Sequence, residues 1–176
     1  MSETAREHKA GAPKKLQFGI YICSTSRYEN LKKGQKVEDT SGDMIKSFLE
    51  NAGHTVLFRR VIPDDRELIA QSVQDVLDCD NMDAAIFCGG TGIAHSDVTI
   101  ETVTPFLEKI LPGFGEIFRR LSYDEIGSAA VMSRAIAGIS EEKEFFCIPG
   151  SPNAVKLCLE KLILPEAGHI SKHSRE

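Results

Sequence analysis

The apolar residues of this chain fall into two alternating patterns. Short runs rich in apolar residues, which are typical of strands in a covered sheet, occupy 16–23, 54–62 and 84–88. Stretches with apolar residues every three or four positions, which predict amphipathic helices, occupy 41–51, 66–77 and 100–111. Strands that alternate with helices in this way are typical of an α/β domain with a parallel sheet.

The second half of the chain adds an antiparallel element. A helix is predicted over 114–121, and Ser122 with Glu125 three residues later has the spacing of a capping box that begins another helix. Two short strands, 135–139 and 144–148, flank four polar residues and predict a β-hairpin. The sheet is therefore expected to be mostly parallel with one short hairpin.

The polar segments at the two ends set the domain boundaries. Residues 1–15 are charged and aperiodic, which predicts a flexible N-terminal tail, and residues 166–176 are predicted to be a polar C-terminal tail. One domain, 16–165, lies between them. Within it, 28–40 is predicted to be a long polar loop, whose lysines either bring positive charge over the sheet edge or are merely solvated.

Composition limits the kinds of partner. A chain of 176 residues, 41% hydrophobic and 27% charged, is large enough for one domain with a proper core. Its net charge of −5 argues against general binding to nucleic acid or to anionic membranes. No apolar run reaches the length of a membrane span and the N-terminus lacks a secretory signal, which predicts a cytoplasmic protein. The five cysteines form no CxxC pair and are expected to be reduced core residues.

The strongest candidate for chemistry is the turn that follows the apolar run 84–88, Gly89-Gly90-Thr91-Gly92. Three glycines let the backbone approach a ligand with its N–H groups, which suits a phosphate or another anion, and the threonine adds a hydroxyl. The turn is not a P-loop, because no Lys-Ser/Thr pair follows its last glycine, and it lacks the third glycine of the dinucleotide fingerprint. It lies at the carboxyl end of a strand, where open α/β sheets bind their ligands.

Asp97 lies a few residues beyond this turn, at the start of a predicted helix. Its carboxylate either caps that helix or holds a magnesium ion beside the amides of the turn. Amides together with a metal would imply a nucleotide or a phosphorylated substrate.

Two other predicted strand ends carry polar side chains. Ser24, Thr25 and Ser26 follow the first strand, and Asp64 and Asp65 follow the second. Either aspartate can be the N-cap of the next helix. Because strands joined by helices bring their carboxyl ends to one edge of a sheet, the same position can also point a carboxylate at the glycine turn.

The last predicted strand ends in a second tight turn, Pro149-Gly150-Ser151-Pro152, which leads into a helix predicted over 153–163. Proline suits the first turn of a helix, and Ser151 or Asn153 can cap it. The turn is either a second anion-binding helix terminus or an ordinary strand-to-helix corner.

Several ordered motifs resemble the MoaB/MogA family of molybdenum cofactor biosynthesis proteins, over nearly the whole of 16–165. These motifs are Gly89-Gly90-Thr91-Gly92, Asp97-Val98-Thr99, Pro112-Gly113-Phe114-Gly115-Glu116, Ser122-Tyr123-Asp124-Glu125-Ile126-Gly127, Ser133-Arg134 and Pro149-Gly150-Ser151-Pro152. The segments Ser24-Thr25-Ser26-Arg27-Tyr28 and Asp39-Thr40-Ser41-Gly42 are more similar to the MoaB branch.

The resemblance implies a three-layer α/β/α sandwich, with a mostly parallel sheet plus a short antiparallel hairpin, that assembles as a homotrimer or a homohexamer. Family members bind molybdopterin, and the active ones adenylylate its terminal phosphate with magnesium ATP and release pyrophosphate. A downstream molybdate-insertion protein is a further implied partner.

The resemblance also implies roles for the candidate residues. The glycine turn would hold nucleotide or pterin phosphates. Asp97 and Asp64 would be the catalytic acids and the ligands of Mg²⁺. The pterin pocket would be lined by Ser24, Thr25, Ser26, Pro149, Gly150, Ser151 and Pro152.

One position departs from the family pattern. Many relatives have an arginine directly before the aspartate of the glycine loop, whereas this chain has Ser96 there. Charge neutralisation at the phosphates must then come from other cations, such as Arg27, Lys32, Lys33 or Arg134. The departure favours an alternative to the enzyme, a pterin-binding or scaffold protein without the transfer reaction; an unrelated nucleotide-dependent α/β enzyme is a third hypothesis.

Overall fold

The computed structural model describes residues 11–176, so most of the tail predicted over 1–15 lies outside the described residues. Within the described part, one sheet contains six strands in the order β2-β1-β3-β6-β5-β4. The strands are β1 Gln17–Cys23, β2 Thr55–Ile62, β3 Ala84–Cys88, β4 Lys109–Ile110, β5 Ile136–Ser140 and β6 Lys143–Ile148. β2, β1, β3 and β6 are parallel, whereas β5 runs antiparallel to β6 and to β4. The mostly parallel sheet and its hairpin are confirmed.

Helices cover both faces of this sheet. The α-helices are α1 Thr25–Lys32, α2 Thr40–Asn51, α3 Arg66–Leu77, α4 Thr99–Val103, α5 Pro112–Ile126, α6 Pro152–Cys158 and α7 Leu164–Ser174. Short 3₁₀ turns span Thr104–Phe106 and Gly127–Met132, and a π-helical turn over Leu159–Ile163 joins α6 to α7. Across residues 11–176 no helix is long and apolar enough to cross a membrane.

The core consists of two clusters, one on each face of the sheet. Successive strand residues point to opposite faces, so Ile20 of β1 belongs to the cluster that includes Ile45 of α2. Its neighbour Tyr21 belongs to the second cluster, with Ile69 of α3. The chain is therefore a three-layer α/β/α sandwich, as predicted. The helical layers leave the ends of the strands uncovered.

The segment 28–40, predicted to be a loop, begins within a helix. Ser24 caps α1, since its hydroxyl accepts a hydrogen bond from the N–H of Arg27. Every residue of α1 is at least partly exposed. The helix therefore lacks the apolar stripe from which a helix is predicted in a sequence.

The helix predicted over 100–111 ends early, at Val103. Pro105 has no N–H to continue the helical hydrogen bonds, and the Thr104 hydroxyl donates to the carbonyl of Ile100 at 2.6 Å. The chain then extends into β4, a short strand at the edge of the sheet.

Ser122 does not begin a helix. It lies inside α5, which is continuous from Pro112 to Ile126, and its hydroxyl donates to the carbonyl of Phe118 at 2.8 Å. Phe114, Phe118 and Ser122 recur every four residues and form the buried face of the helix. The capping-box spacing was therefore misleading here.

The C-terminal residues do not form a tail. Residues 164–174 form α7, which packs against β6 and buries Ala167 and Ser171. The buried stripe consists of small residues, so the sequence of 166–176 looks polar although one face is covered.

Candidate active site at the carboxyl edge of the sheet

The carboxyl ends of β1, β3 and β6 meet at the centre of one sheet edge. The N–H of Gly89 donates to the carbonyl of Ile148, at the end of β6, at 2.9 Å. Gly89 has φ +105°, and a Cβ at this position would collide with the carbonyl oxygen of Cys23, at the end of β1. A Cβ on Gly150 would lie 3.4 Å from the Cα of Gly89. The two predicted turns therefore pack against each other, and only glycine fits at Gly89.

Asp64 lies beside the glycine turn. Its Oδ2 atom accepts hydrogen bonds from the N–H and the hydroxyl of Thr25, each at 2.9 Å. Its Oδ1 atom faces Gly90, at 2.6 Å from the place where a Cβ would be. The neighbouring Asp65 caps α3 by accepting from the N–H of Leu68 at 3.0 Å. Of the two aspartates, the cap is Asp65, and Asp64 is left to face the turn.

Asp97 lies at the other end of the same loop. Its Oδ2 atom accepts from the N–H of Ala94 at 2.9 Å and lies 2.6 Å from the place of a Cβ on Gly92. The N-cap position of α4 is Val98, and no described side chain bonds to that terminus. Asp97 is therefore not a helix cap, and its carboxylate packs against the glycine loop.

Arg134 holds the glycine loop in place through hydrogen bonds to its carbonyl groups. Its Nε atom donates to the carbonyl of Thr91 at 2.9 Å and its Nη2 atom to the carbonyl of Gly92 at 2.6 Å. Its Nη1 atom pairs with Glu101 at 2.6 Å, and this hydrogen bond lowers the pKa of the Glu101 carboxyl. From the sequence, Arg134 was predicted only as a cation that could bind phosphate. In the structure its guanidinium group holds the loop carbonyls and forms an ion pair with Glu101.

Two serines hold the other predicted segments. Ser24 donates its backbone N–H to the carbonyl of Ile62 at 2.8 Å, and its hydroxyl lies 3.3 Å from that of Ser26. Ser41 of α2 donates its hydroxyl to the carbonyl of Gly150 at 2.8 Å. No local sequence pattern predicts the Ser41 contact, because the two residues are 109 positions apart.

Ser151 is the cap of α6. Its hydroxyl accepts from the N–H of Ala154 at 3.4 Å, and Pro152 occupies the first turn. The predicted helix after the second turn is confirmed, with Ser151 rather than Asn153 as its cap.

A cleft of about 300 Å³ opens between the two turns. Its lining consists of the glycine loop, Asp97, the segment from Met132 to Arg134, and Pro149 with Gly150. Asp64 and Thr25 lie across Gly90 from this cleft, and Ser24, Ser26, Ser151 and Pro152 are likewise not part of its lining. The sheet edge thus brings the predicted residues together in two adjoining places.

The donor set fits a magnesium ion that arrives with phosphates. Mg²⁺ usually binds one or two carboxylates and completes its shell with water and substrate phosphates. Asp64 and Asp97 each use one carboxylate oxygen to accept hydrogen bonds within the protein. Among residues 11–176 no group of three or more histidine, cysteine, aspartate or glutamate side chains forms a complete metal cage.

The geometry defines an α/β protein with a glycine-rich turn and two acidic side chains at the carboxyl edge of a parallel sheet. Residues 19–169 match the family described as "Probable molybdopterin binding domain". The chain is 43% identical to molybdenum cofactor biosynthesis protein B of Bacillus subtilis, over 98% of both chains. It belongs to this family of molybdenum cofactor biosynthesis proteins.

Archaeal relatives are similar over nearly the whole chain as well. The chain is 41% identical to the probable molybdopterin adenylyltransferase of Methanocaldococcus jannaschii, over 93% of this chain and 96% of that protein. The crystal structure of the tungsten cofactor synthesizing protein MoaB from Pyrococcus furiosus superposes with a TM-score of 0.82 at 38% identity, over 94% of this chain and 100% of that one.

Proposed function

We propose that this chain is a molybdopterin adenylyltransferase, which transfers the adenylyl group of ATP to the terminal phosphate of molybdopterin and releases pyrophosphate. The observation that carries the proposal is the packing of two carboxylates against the turn Gly89–Gly92, with Asp97 in the lining of the strand-end cleft and Asp64 beside Gly90. Relatives from M. jannaschii and P. furiosus, at 41% and 40% identity, bear this enzyme name. Family membership removes the hypothesis of an unrelated nucleotide-dependent enzyme.

The reaction asks the protein mainly for positioning and charge stabilisation. An oxygen of the molybdopterin phosphate attacks the α-phosphorus of ATP, and a new P–O bond forms there. The bond from that phosphorus to the bridging oxygen breaks, and pyrophosphate leaves with the electron pair. The N–H of Gly89 is used on the carbonyl of Ile148, so the backbone N–H groups of Gly90, Thr91 and Gly92 would face the phosphate oxygens on which negative charge develops.

Asp97 and Asp64 would hold a Mg²⁺ ion, which supplies positive charge to the phosphate oxygens when it is bound. Arg134 would act as a positioning residue, because all three of its guanidinium nitrogens donate to the loop carbonyls or to Glu101. The pterin would lie against the serines after β1 and against the turn 149–152.

Pyrophosphate release from magnesium ATP, measured with and without molybdopterin, tests the proposal. We expect release that depends on the pterin, and Asp97→Asn should lower it strongly. Asp65→Asn is the matched control, because Asp65 caps α3 and asparagine caps a helix about as well as aspartate. Release that is independent of molybdopterin, or equal rates in the Asp97→Asn variant and the wild type, would contradict the proposal.

A second candidate function is a molybdopterin-binding or scaffold protein that does not catalyse the transfer. The observation that favours it is the commitment of Arg134 to Glu101, together with an exposed Ser96 where relatives often have arginine. Other cations near this edge also have contacts, since Arg27 donates to the carbonyl of Glu38 at 3.2 Å. Tight pterin binding without pyrophosphate release would identify this function.

We further propose a homotrimer or a homohexamer as the assembly. Large apolar side chains are exposed along α5 and the 3₁₀ turn after it, including Ile117, Tyr123, Ile126, Val131 and Met132. Exposed apolar surface of this kind is typical of protein interfaces. Light scattering on the purified chain would give the mass of a trimer or hexamer, and a monomeric mass would exclude both. A cytoplasmic location and a molybdate-insertion partner stay predictions.

A further inference from the structure

Two histidines on α7, far along the chain from the strand-end cleft, form a paired arrangement. His169 and His173 are one helical turn apart, and their Nε2 atoms lie 3.1 Å from each other. The Nδ1 atom of His169 lies 3.1 Å from a carboxylate oxygen of Glu166. The Nδ1 atom of His173 lies 2.8 Å from a carboxylate oxygen of Glu176. The four side chains thus form a row of carboxylate, imidazole, imidazole and carboxylate.

The hydrogen bonds fix which nitrogen carries the proton in each neutral ring. An ionised carboxylate only accepts hydrogen bonds, so the Nδ1 atoms of His169 and His173 must both donate. A neutral imidazole with a proton on Nδ1 presents a lone pair at Nε2. The two Nε2 lone pairs would therefore face each other across 3.1 Å, which is repulsive unless a positive species lies between them. That species is either a shared proton or a metal ion.

The arrangement of the two rings fits a bound metal ion. The ring centroids are 4.8 Å apart and the ring planes are inclined by 67°. A metal about 2.05 Å from both nitrogens, with an angle of about 100° between the bonds, gives nearly the observed separations.

We propose that His169 and His173 bind a divalent transition metal ion through their Nε2 atoms, with Zn²⁺, Ni²⁺ and Cu²⁺ as the ions that imidazole ligands suit best. Glu166 and Glu176 would orient the rings and strengthen the ligands through Nδ1, as carboxylates commonly do behind metal-bound histidines. The pair also lies toward the C-terminal end of α7, where the helix dipole favours a cation.

Among the described residues, the site has two protein nitrogens. No third histidine, cysteine, aspartate or glutamate among residues 11–176 completes a cluster here. Both rings are open to solvent, with side-chain exposures of 28% for His169 and 41% for His173. A metal can therefore reach the site in the folded protein, and we expect an affinity in the micromolar range. The proposal is independent of the proposed adenylyl transfer.

Calorimetric titration of Zn²⁺, and separately of Ni²⁺, into the full chain freed of metal tests this site. We expect one ion per chain, and His169→Asn and His173→Asn should each weaken binding at least tenfold. Glu166→Gln should weaken it by about tenfold, the lower end of the usual effect of such carboxylates. His95→Asn is the matched control, because His95 is an exposed histidine in the glycine loop.

Two further readouts keep the result independent of folding defects. The superhyperfine pattern of bound Cu²⁺ in electron paramagnetic resonance should report two nitrogens in the wild type and one in each single variant. Saturating Zn²⁺ should raise the Tm of the wild type and of His95→Asn, because a ligand that binds the folded state stabilises it. Absence of stoichiometric binding, or equal affinities in the wild type and both α7 variants, would overturn the proposal and leave a shared proton between the rings.

Discussion

The acidic side chains at the two edges of the sheet lie in opposite environments. At the carboxyl edge, Asp64 and Asp97 are half-buried and each accepts hydrogen bonds from a neighbouring backbone N–H. At the amino edge, Glu144 is fully buried and neither carboxylate oxygen has a hydrogen-bond partner among the described residues. Burial, and then the nearby Asp83 carboxylate, raise the pKa of Glu144, whereas Arg175 lowers it.

This difference separates the two proposed catalytic groups from a group that the fold tolerates. Asp64 and Asp97 each have one oxygen held by hydrogen bonds and lie against the glycine loop. The acid of the amino edge is kept from water and loses its charge more easily. Substitutions at the first edge should therefore cost activity, whereas neutralising the second should gain stability.

The largest expected effect is on turnover at the carboxyl edge. Asp97→Asn should lower the rate of adenylyl transfer by about 10²–10³-fold, because it removes the charge that, in the proposed function, would hold the metal against the phosphates. The dissociation constant of molybdopterin should change little. Single-turnover kinetics together with equilibrium pterin binding check both parts, and Asp65→Asn should behave as the wild type. A parallel loss of binding would mean that Asp97 holds the substrate rather than the transition state.

The next effect is on stability at the same edge. Gly89→Ala would force a Cβ into the carbonyl oxygen of Cys23 at φ +105°, and should lower the free energy of unfolding by about 3 kcal/mol. Gly34→Ala is the control, since Gly34 also has a positive φ of +71° but a Cβ there meets no described atom within 4 Å. Urea unfolding should show a clearly smaller loss for the control; equal losses would mean that strand-end packing contributes nothing.

A smaller effect on turnover is expected from Arg134, which holds the glycine loop. Arg134→Lys removes the planar fork that holds the carbonyls of Thr91 and Gly92, and should lower kcat by roughly tenfold with little change in the KM for ATP. Arg120→Lys on the exposed side of α5 is the control. A rise in KM with an unchanged kcat would instead assign Arg134 to phosphate binding.

The smallest effect is expected at the amino edge. The unfolded chain releases the Glu144 proton at its ordinary pKa, whereas the folded chain keeps it to higher pH. The folded state therefore loses stability as pH rises above about 4.5 through the raised pKa. Glu144→Gln removes this loss, so its free energy of unfolding should exceed that of the wild type by roughly 1 kcal/mol near pH 8.

Urea unfolding at several pH values checks the Glu144 prediction. The advantage of Glu144→Gln should shrink as the pH falls below about 4.5, where the wild-type carboxyl becomes protonated in the unfolded state as well. Glu160→Gln, at an exposed position, should follow the wild type. Parallel pH profiles for the wild type and the Glu144→Gln variant would show that burial of this carboxyl does not lower the free energy of unfolding.

The parts of the fold that could be predicted are those where burial leaves a regular pattern. The apolar runs of β1 and β3 and the stripe of α3 follow from the side-chain periods of strands and helices. α1 and α7 were missed because one is exposed throughout and the other buries small residues such as Ala167 and Ser171. The continuity of α5 was missed because the hydroxyl of Ser122 is satisfied within the helix.

The candidate site also has contacts that could be predicted from the sequence and contacts that could not. The meeting of Asp64 with the glycine turn could be expected, since parallel strands bring their carboxyl ends to one edge. The contacts of Arg134 with Gly92 and of Ser41 with Gly150 span 42 and 109 positions, and no local pattern encodes them. Side chains that position a loop from a distant element are therefore visible only in the folded chain.

The most direct test of the account is transfer of the labelled α-phosphate of ATP to molybdopterin by the purified wild-type chain, followed by isolation of the pterin product. The account predicts that the label and an adenylyl group are recovered on the pterin, and that both are nearly absent with Asp97→Asn but present with Asp65→Asn. Unlabelled pterin, recovered after tight binding to the wild type, would contradict adenylyl transfer and leave a molybdopterin-binding protein.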